Sequence, residues 1–508
     1  MTAPTTSSRT VALRTRLARL DPLTPLVGLV ALVVYSLHGF GGILNRDLGV
    51  YAYAGQQFAN GVPPYEGILT RVGPLAQMLP GVGMAVGRLV GIDDITSARV
   101  LYMLFAVGSV CVTYLVGRDL FSSRWAGLAS AASLLSFLGF IEYATNGPRE
   151  KTPMVLFVLL AMWFVTRGRF LGAGFFIGLA ALTWQPAFLP GITFLVLAAV
   201  LRRDRRLRSV VEMAVGGTIS LVLCSAYFLA MGAWDVFYEG FIGINARYSG
   251  TQAFSDHPDY IVGVVRDAYG ASLWLFLFGL VALIAAGVAS IAIQSRRSRP
   301  DRRLVAAFSA ATVVALAFTW RNINGWPDLF VLLPGAALGV GAAVSELEAR
   351  LSARAVLAIA TGWALVASVY AGVYAVTERS HVLARENASV DAVLSSMPDD
   401  ATMLSVEAPQ VMVLSDRTNP TRYQMFPRSL LRYMDDSYPG GVDGFVDWLA
   451  AYEPTILAVH GVNPWLEPVL AKQYKRVGTG TGWAWYMARS AGPEAIHQVI
   501  DALHAVRS

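Results

Sequence analysis

Eleven apolar runs limit this chain more than any other feature, because a helix needs about 20 residues to cross the hydrocarbon core of a bilayer. They fall near 25–44, 97–117, 125–143, 152–166, 170–185, 187–201, 209–231, 272–294, 304–320, 328–345 and 354–376. A chain of 508 residues that is 55% hydrophobic and only 15% charged, with a mean hydropathy of +0.51, is too apolar for a soluble protein of its size. The expected fold class is a polytopic α-helical membrane protein. Both cysteines, Cys111 and Cys224, sit inside apolar runs, so neither a disulfide framework nor a thiolate metal site is expected.

The net charge of +6 does not point to nucleic acid, since the arginines form short clusters between apolar runs. Arg9, Arg14, Arg16 and Arg19 precede the first run; Arg118 with Arg124, Arg167 with Arg169, Arg202 to Arg206 and Arg296 to Arg303 occupy alternate loops. Basic loops stay on the cytoplasmic side. The N-terminal tail, 1–24, is therefore expected to be cytoplasmic, and it shows no secretory signal pattern. The outer loops become 45–96, 142–151, 232–271, 321–327 and everything after Thr377. The bundle spans 25–376. Residues 75–92 are apolar, but Pro80, Gly81, Gly83 and Gly87 interrupt them, and counting them as a span would export every arginine cluster. They read as an interfacial or re-entrant helix within the first outer loop.

The tail 377–508 has another character. β-like runs at Thr402–Ala408, Val411–Leu414, Thr455–His460 and Tyr474–Ala488 alternate with amphipathic stretches at Val390–Ser396 and Val442–Tyr452, which predicts a small extracytoplasmic α/β domain. It carries no phosphate loop and no nucleophile elbow. A structural or acceptor-positioning role is the expectation.

Chemistry concentrates in the outer loops. Asp47, in Asn45-Arg46-Asp47-Leu48-Gly49-Val50-Tyr51, is the first acidic residue after the first apolar run; a helix cap is its plain explanation, a catalytic carboxylate near the headgroup plane its functional one. The same loop offers Tyr51, Tyr65 and Arg71; the second outer loop offers Glu142, Arg149, Glu150 and Lys151; a third places Arg321 between Trp320 and Trp326. Carboxylates and cations on one rim suit transfer of a sugar from a lipid phosphate. An acceptor hydroxyl needs a base, and the departing phosphate needs positive charge. Asp47 and Glu150 fit the first need; Arg149, Lys151, Arg71 and Arg321 fit the second. A divalent cation, Mg or Mn, held by Asp47 is an alternative way to activate the hydroxyl. Tyr51 and Tyr65 offer faces for a sugar ring. Asp256 and His257, in Asp256-His257-Pro258-Asp259, read first as turn chemistry and second as acceptor-binding residues.

Five motifs bear a family resemblance: Arg46-Asp47-Leu48-Gly49-Val50-Tyr51, Gly61-Val62-Pro63-Pro64-Tyr65, Gly73-Pro74-Leu75, Arg118-Asp119-Leu120-Phe121 and Trp326-Pro327-Asp328-Leu329. Over about the first 345 residues the chain resembles the multi-spanning GT-C glycosyltransferases, in particular bacterial relatives of protein O-mannosyltransferases and lipid A aminoarabinose transferases. The resemblance implies a catalytic acid just after the first span, interfacial helices in the first outer loop and a polyprenyl-phosphate sugar as donor. It makes Asp47 the catalytic residue. Leu48 stands where many members have a second acid, so that carboxylate has to come from Glu150 or Glu142. The expected activity is inverting transfer of a hexose or pentose to a hydroxyl of an envelope glycan, lipid or protein, at the outer face of the cytoplasmic membrane. A transporter and a non-catalytic membrane scaffold are the alternatives. The former is disfavoured by the lack of an internal repeat and of mid-span charge.

Overall fold

A computed structural model describes residues 21–201, 205–248, 250, 253–292, 301–398 and 400–507. The inner-face arginines expected at 9, 14, 16, 19, 202, 203, 296 and 297, and most of the N-terminal tail, lie outside the described residues. The rest is dominated by apolar helices. Six are long and apolar enough to cross a membrane, and a seventh crossing results if the bent pair Arg124–Leu135 and Leu138–Thr145 acts as one. Leu23–His38, Lys151–Thr166, Phe170–Thr183 and Gln185–Leu201 are apolar but shorter.

The run expected as one span at 125–143 is broken, its halves meeting at 68°. Ser136 ends the first half, and the backbone N–H of Leu138 turns away to bond Ser272 Oγ at 3.2 Å. The bend carries Glu142 and the loop after it sideways, into the centre of one end of the bundle. Small residues hold other helices of the bundle close. A Cβ on Gly174 would lie 2.0 Å from Met213 O, and one on Gly339 would lie 1.7 Å from Gly279 O, so Phe170–Thr183 lies against Arg206–Ala230, and Leu333–Glu348 against Ser272–Ala292, backbone to backbone.

The first outer loop is two helices. Asn45 caps the first, its side chain accepting from Leu48 N at 3.0 Å, so the helix Arg46–Ala59 starts with Asp47 in its opening turn. The second, Pro74–Leu89, has Gly73 and Pro74 at its start, where a missing N–H costs nothing. It covers most of 75–92 in 16 residues and packs along the first, a Cβ on Gly81 falling 2.4 Å from Gly55 O.

Beyond Thr377 the chain forms the helix Val382–Ser395 and then a four-stranded sheet of order β1-β2-β4-β3. β1 (Met403–Val406) pairs parallel with β2 (Ile456–Val459); β4 (Ala484–Ala488) runs antiparallel to β2 and to β3 (Tyr474–Thr479), with an irregularity at Arg476/Gly478. The strand expected at Val411–Leu414 is instead the end of the helix Pro409–Leu414. Pro409 at its first turn fixes φ for a helix and removes a donor that a strand would need. This helix lies on Arg46–Ala59 at Gly49, where a Cβ would come within 2.6 Å of the backbone N of Gln410. Further ties run from Asn419 N to Tyr53 Oη at 2.9 Å and from Leu69 N to Arg422 O at 2.8 Å. The tail is thus packed onto the first outer loop.

Candidate active site

Where the helix Arg46–Ala59, the Arg71–Val72 loop, the second half of the bent pair, the start of Lys151–Thr166 and the segment 322–328 meet, they line a cavity of about 980 Å³. Asp47, Tyr51, Arg71, Arg149, Glu150 and Lys151, all expected from the sequence, lie on its wall. All but Tyr51, which is one turn further into Arg46–Ala59, come from a loop or a first helical turn, the places where a polar side chain is not committed to the bundle interior.

These residues form a ribbon of alternating charge. Asp47 Oδ2 accepts from Arg149 Nη1 at 3.1 Å, and Arg149 Nε is 3.3 Å from Glu150 Oε2. Lys151 Nζ lies 2.9 Å from Glu150 Oε1 and 2.8 Å from Asp328 Oδ1. Arg46, on the other side of Asp47, is 3.5 Å from Oδ1 and reaches Glu407 of the tail at 2.8 Å. Exposure changes steadily along the ribbon: the Asp47 side chain is 52% exposed, that of Arg149 11% and that of Glu150 3%. The Asp47 end therefore faces the cavity, and the Glu150–Lys151–Asp328 end is embedded in protein.

Aromatic rings flank the cations. Arg149 lies over the rings of Tyr51 and Tyr143, 5.8 Å from each centroid, and Lys151 lies 5.1 Å from that of Trp184. Tyr143 in turn stacks on Trp326 at 4.7 Å.

The charges set one another. Burial pushes the Asp47 carboxyl up, but Arg149 and Arg46 beside it outweigh that and hold it below the ordinary aspartate value. Glu150 follows the same rule: burial raises it, while Arg149 and Lys151 bring it below the usual glutamate range. The Tyr51 hydroxyl is pushed well above its ordinary value by burial and by the charge of Glu150. Both carboxyls are thus ionised at neutral pH, next to a phenol that stays protonated.

Other expected residues stand elsewhere. Arg321 is exposed at the end of Arg302–Arg321 and is not on the cavity wall. Tyr65 is fully buried in a separate apolar cluster with Phe228 and Phe237, its hydroxyl donating to Val72 O at 2.8 Å. Asp256 and His257 are exposed in a turn, where Asp256 Oδ2 accepts from Ala253 N at 2.9 Å. Both lie off the cavity wall.

Asp328, in the sequence no more than part of a motif, is the second anchor of Lys151. Glu407, Arg46, Asn322, Asn324 and Trp184 also belong around this cavity or its charge network. Asp328 carried a usable signal, an acid at the mouth of an apolar run, where an unpaired charge is costly. Glu407 carried none, since it reaches the site only through the packing of the tail.

Comparison with known proteins bears on the fold. The family described as dolichyl-phosphate-mannose-protein mannosyltransferase matches residues 79–229. No curated protein matches the sequence. Among solved structures, ArnT from Cupriavidus metallidurans in the apo state is 17% identical with a TM-score of 0.62, covering 92% of this chain and 98% of its own. The same protein bound to undecaprenyl phosphate is 15% identical, with a TM-score of 0.62, over 91% of this chain and 97% of its own. The Archaeoglobus fulgidus oligosaccharyltransferase is 12% identical with a TM-score of 0.52, over 94% of this chain and 76% of its own. Arabinofuranosyltransferase AftD from Mycobacteria is 13% identical with a TM-score of 0.53, over 92% of this chain and 40% of its own. A fold shared over nine-tenths of the chain, with the mannosyltransferase match inside the shared part, is the fold that these GT-C glycosyltransferase structures have in common with this chain.

Proposed function

We propose that this protein transfers a sugar from a polyprenyl-phosphate donor to a hydroxyl acceptor, at the outer face of the cytoplasmic membrane. The observation that carries the reading is Asp47: an ionised, half-exposed carboxylate on the wall of a cavity of about 980 Å³, backed by Arg149. The likeness to ArnT bound to undecaprenyl phosphate supports a lipid-linked donor. Counting the four shorter apolar helices as spans gives eleven crossings, with the N-terminus inside and the tail outside.

In this reading the acceptor hydroxyl gives its proton to Asp47 as its oxygen attacks the anomeric carbon. The bond from that carbon to the phosphate oxygen breaks, and the electron pair leaves with the polyprenyl phosphate. Attack from the face opposite the phosphate inverts the anomeric centre. Arg149, Lys151 and Arg71 supply positive charge on the leaving side. Glu150 acts through Arg149 and Lys151, holding both cations in place, and Tyr51 with Tyr143 frames the sugar. Arg321, Tyr65, Asp256 and His257 receive no role at the reacting atoms.

The carboxylates do not suit a divalent ion. Asp47 is hydrogen-bonded to Arg149 on one oxygen with the Arg46 guanidinium 3.5 Å from the other, and Glu150 meets Arg149 and Lys151. Among the described residues no three acidic, histidine or cysteine side chains gather as a ligand set. A metal would have to displace a cation of the chain, so the positive charge is assigned to arginine and lysine.

The test is transfer in membranes given radiolabelled undecaprenyl- and decaprenyl-phosphate hexoses and pentoses. Wild type is expected to transfer from at least one donor, and Asp47→Asn at matched expression to lose the activity by about 100-fold or more, as for loss of a positioned base. Equal transfer by both proteins would remove Asp47 from the chemistry.

A further inference from the structure

Among the described residues Glu407 is the one acid of the tail that touches the charge network of the cavity, and its setting is unusual in three independent ways. Its backbone sits in the left-handed region at φ 57°, a conformation that is strained for a non-glycine residue and clusters at functional sites. Its side chain is 6% exposed, with Oε1 accepting from the backbone N of Phe426. The other oxygen, Oε2, lies 2.8 Å from Arg46 Nη1.

The surroundings fix where that oxygen points. Glu407 N donates to Gln424 O at 2.7 Å, and the helix that begins two residues later rests on Arg46–Ala59 at Gly49, where no side chain fits between the backbones. The separation between Glu407 and the first turn carrying Arg46 and Asp47 is therefore set by backbone contact. Arg46 stands between two carboxylates, at 2.8 Å from Glu407 and 3.5 Å from Asp47.

We infer that Glu407 is a positioning residue for the catalytic base: by binding Arg46 it draws that guanidinium off Asp47 and leaves one Asp47 oxygen open to an acceptor hydroxyl. The inference rests on the reading of Asp47 as the base. Arg149 already occupies the other Asp47 oxygen. A second guanidinium at full hydrogen-bonding distance would cover the remaining one and weaken the carboxylate as a base. The tail thereby takes part in the reaction centre through one ion pair, although no described residue of it lies on the cavity wall.

The test uses the full chain in membranes, with the radiolabelled polyprenyl-phosphate sugar that supports wild-type transfer, and compares Glu407→Gln, Arg46→Gln, the double variant and Asp47→Asn. Glu407→Gln releases Arg46 onto Asp47 and is expected to lower kcat about tenfold with the donor KM within about twofold, the pattern of a lost transition-state interaction. Removing Arg46 as well takes away the blocking group, so the double variant should transfer several-fold faster than Glu407→Gln alone. A merely structural role predicts the reverse, since two lesions in one network would not restore activity. Melting temperatures of all four variants separate loss of fold from loss of rate. Wild-type kcat in Glu407→Gln, or a double variant no faster than it, overturns the inference while an inactive Asp47→Asn leaves the base assignment standing. Wild-type transfer by Asp47→Asn overturns the base assignment and the positioning role together.

Discussion

At the level of single residues, the site is governed by how completely each charge is removed from water. Lys151 is 5% exposed and is held by Glu150 and Asp328, which are 3% and 8% exposed. Taking one member from such a set leaves uncompensated buried charge, at about 3–5 kcal/mol. Lys151→Met is expected to lower the melting temperature by several degrees and to lose transfer, as read by thermal unfolding in detergent. Asp47 behaves differently because it is half-exposed. Its folded pKa lies below the unfolded value, so the stability from its pairing with Arg149 and Arg46 is fully present above the unfolded pKa and is lost as pH falls through the folded one. Transfer should accordingly hold on the acid side until pH drops below about 4, the ordinary aspartate range, and a pH–rate profile reads this directly. Glu407 has the opposite sign. Burial raises its pKa more than Arg46 and the Phe426 amide lower it, with His460 and Asp47 as the other facing charges. A carboxyl with a raised folded pKa favours the fold below its unfolded value, and that advantage fades as pH rises through the folded one. Glu407→Gln should therefore melt no lower than wild type at neutral pH, which differential scanning fluorimetry can check.

At the level of elements, the decisive contacts are between backbones. Helices Arg46–Ala59 and Pro409–Leu414 meet at Gly49 with no room for a methyl group. Gly49→Ala has to push the tail helix away by part of an ångström, lengthening the Arg46 to Glu407 contact. Overpacking of this kind costs about 1–3 kcal/mol, and transfer is expected to fall together with the melting temperature. The bend between Arg124–Leu135 and Leu138–Thr145 has a comparable role. A straight helix through 125–143 would continue along the bundle and leave Glu142 and Tyr143 away from Arg149.

At the level of the whole molecule, tail and first outer loop are packed together beside the cavity. Leu69 N to Arg422 O and Asn419 N to Tyr53 Oη stitch them together, and Glu239 pairs with Arg422 at 3.3 Å. Segments joined in this way open as one cooperative unit. Hydrogen exchange should accordingly show the amides of Leu69 and Asn419 protected to a similar degree and exposed together in Gly49→Ala. Independent exchange of the two amides would mean that the tail moves separately from the loop.

The membrane class, the fold superfamily and the main outer-loop residues were legible in the sequence, because solvation by lipid forces long apolar runs and sends charge to their ends. Asp47, Arg149, Glu150 and Lys151 stand out there as charges next to apolar segments, and the cavity brings them together. The sequence could not decide which distant side chain each charge would meet. That Arg149 bridges Asp47 and Glu150, that Asp328 anchors Lys151, that Arg321 faces away and that Glu407 reaches Arg46 depend on a 68° break and on glycine contacts between helices far apart in the chain. Polarity along a chain is local and can be read one residue at a time. Pairing of buried charges is set by packing, where a shift of one ångström or one bend changes the partner, so it emerged only with the tertiary structure.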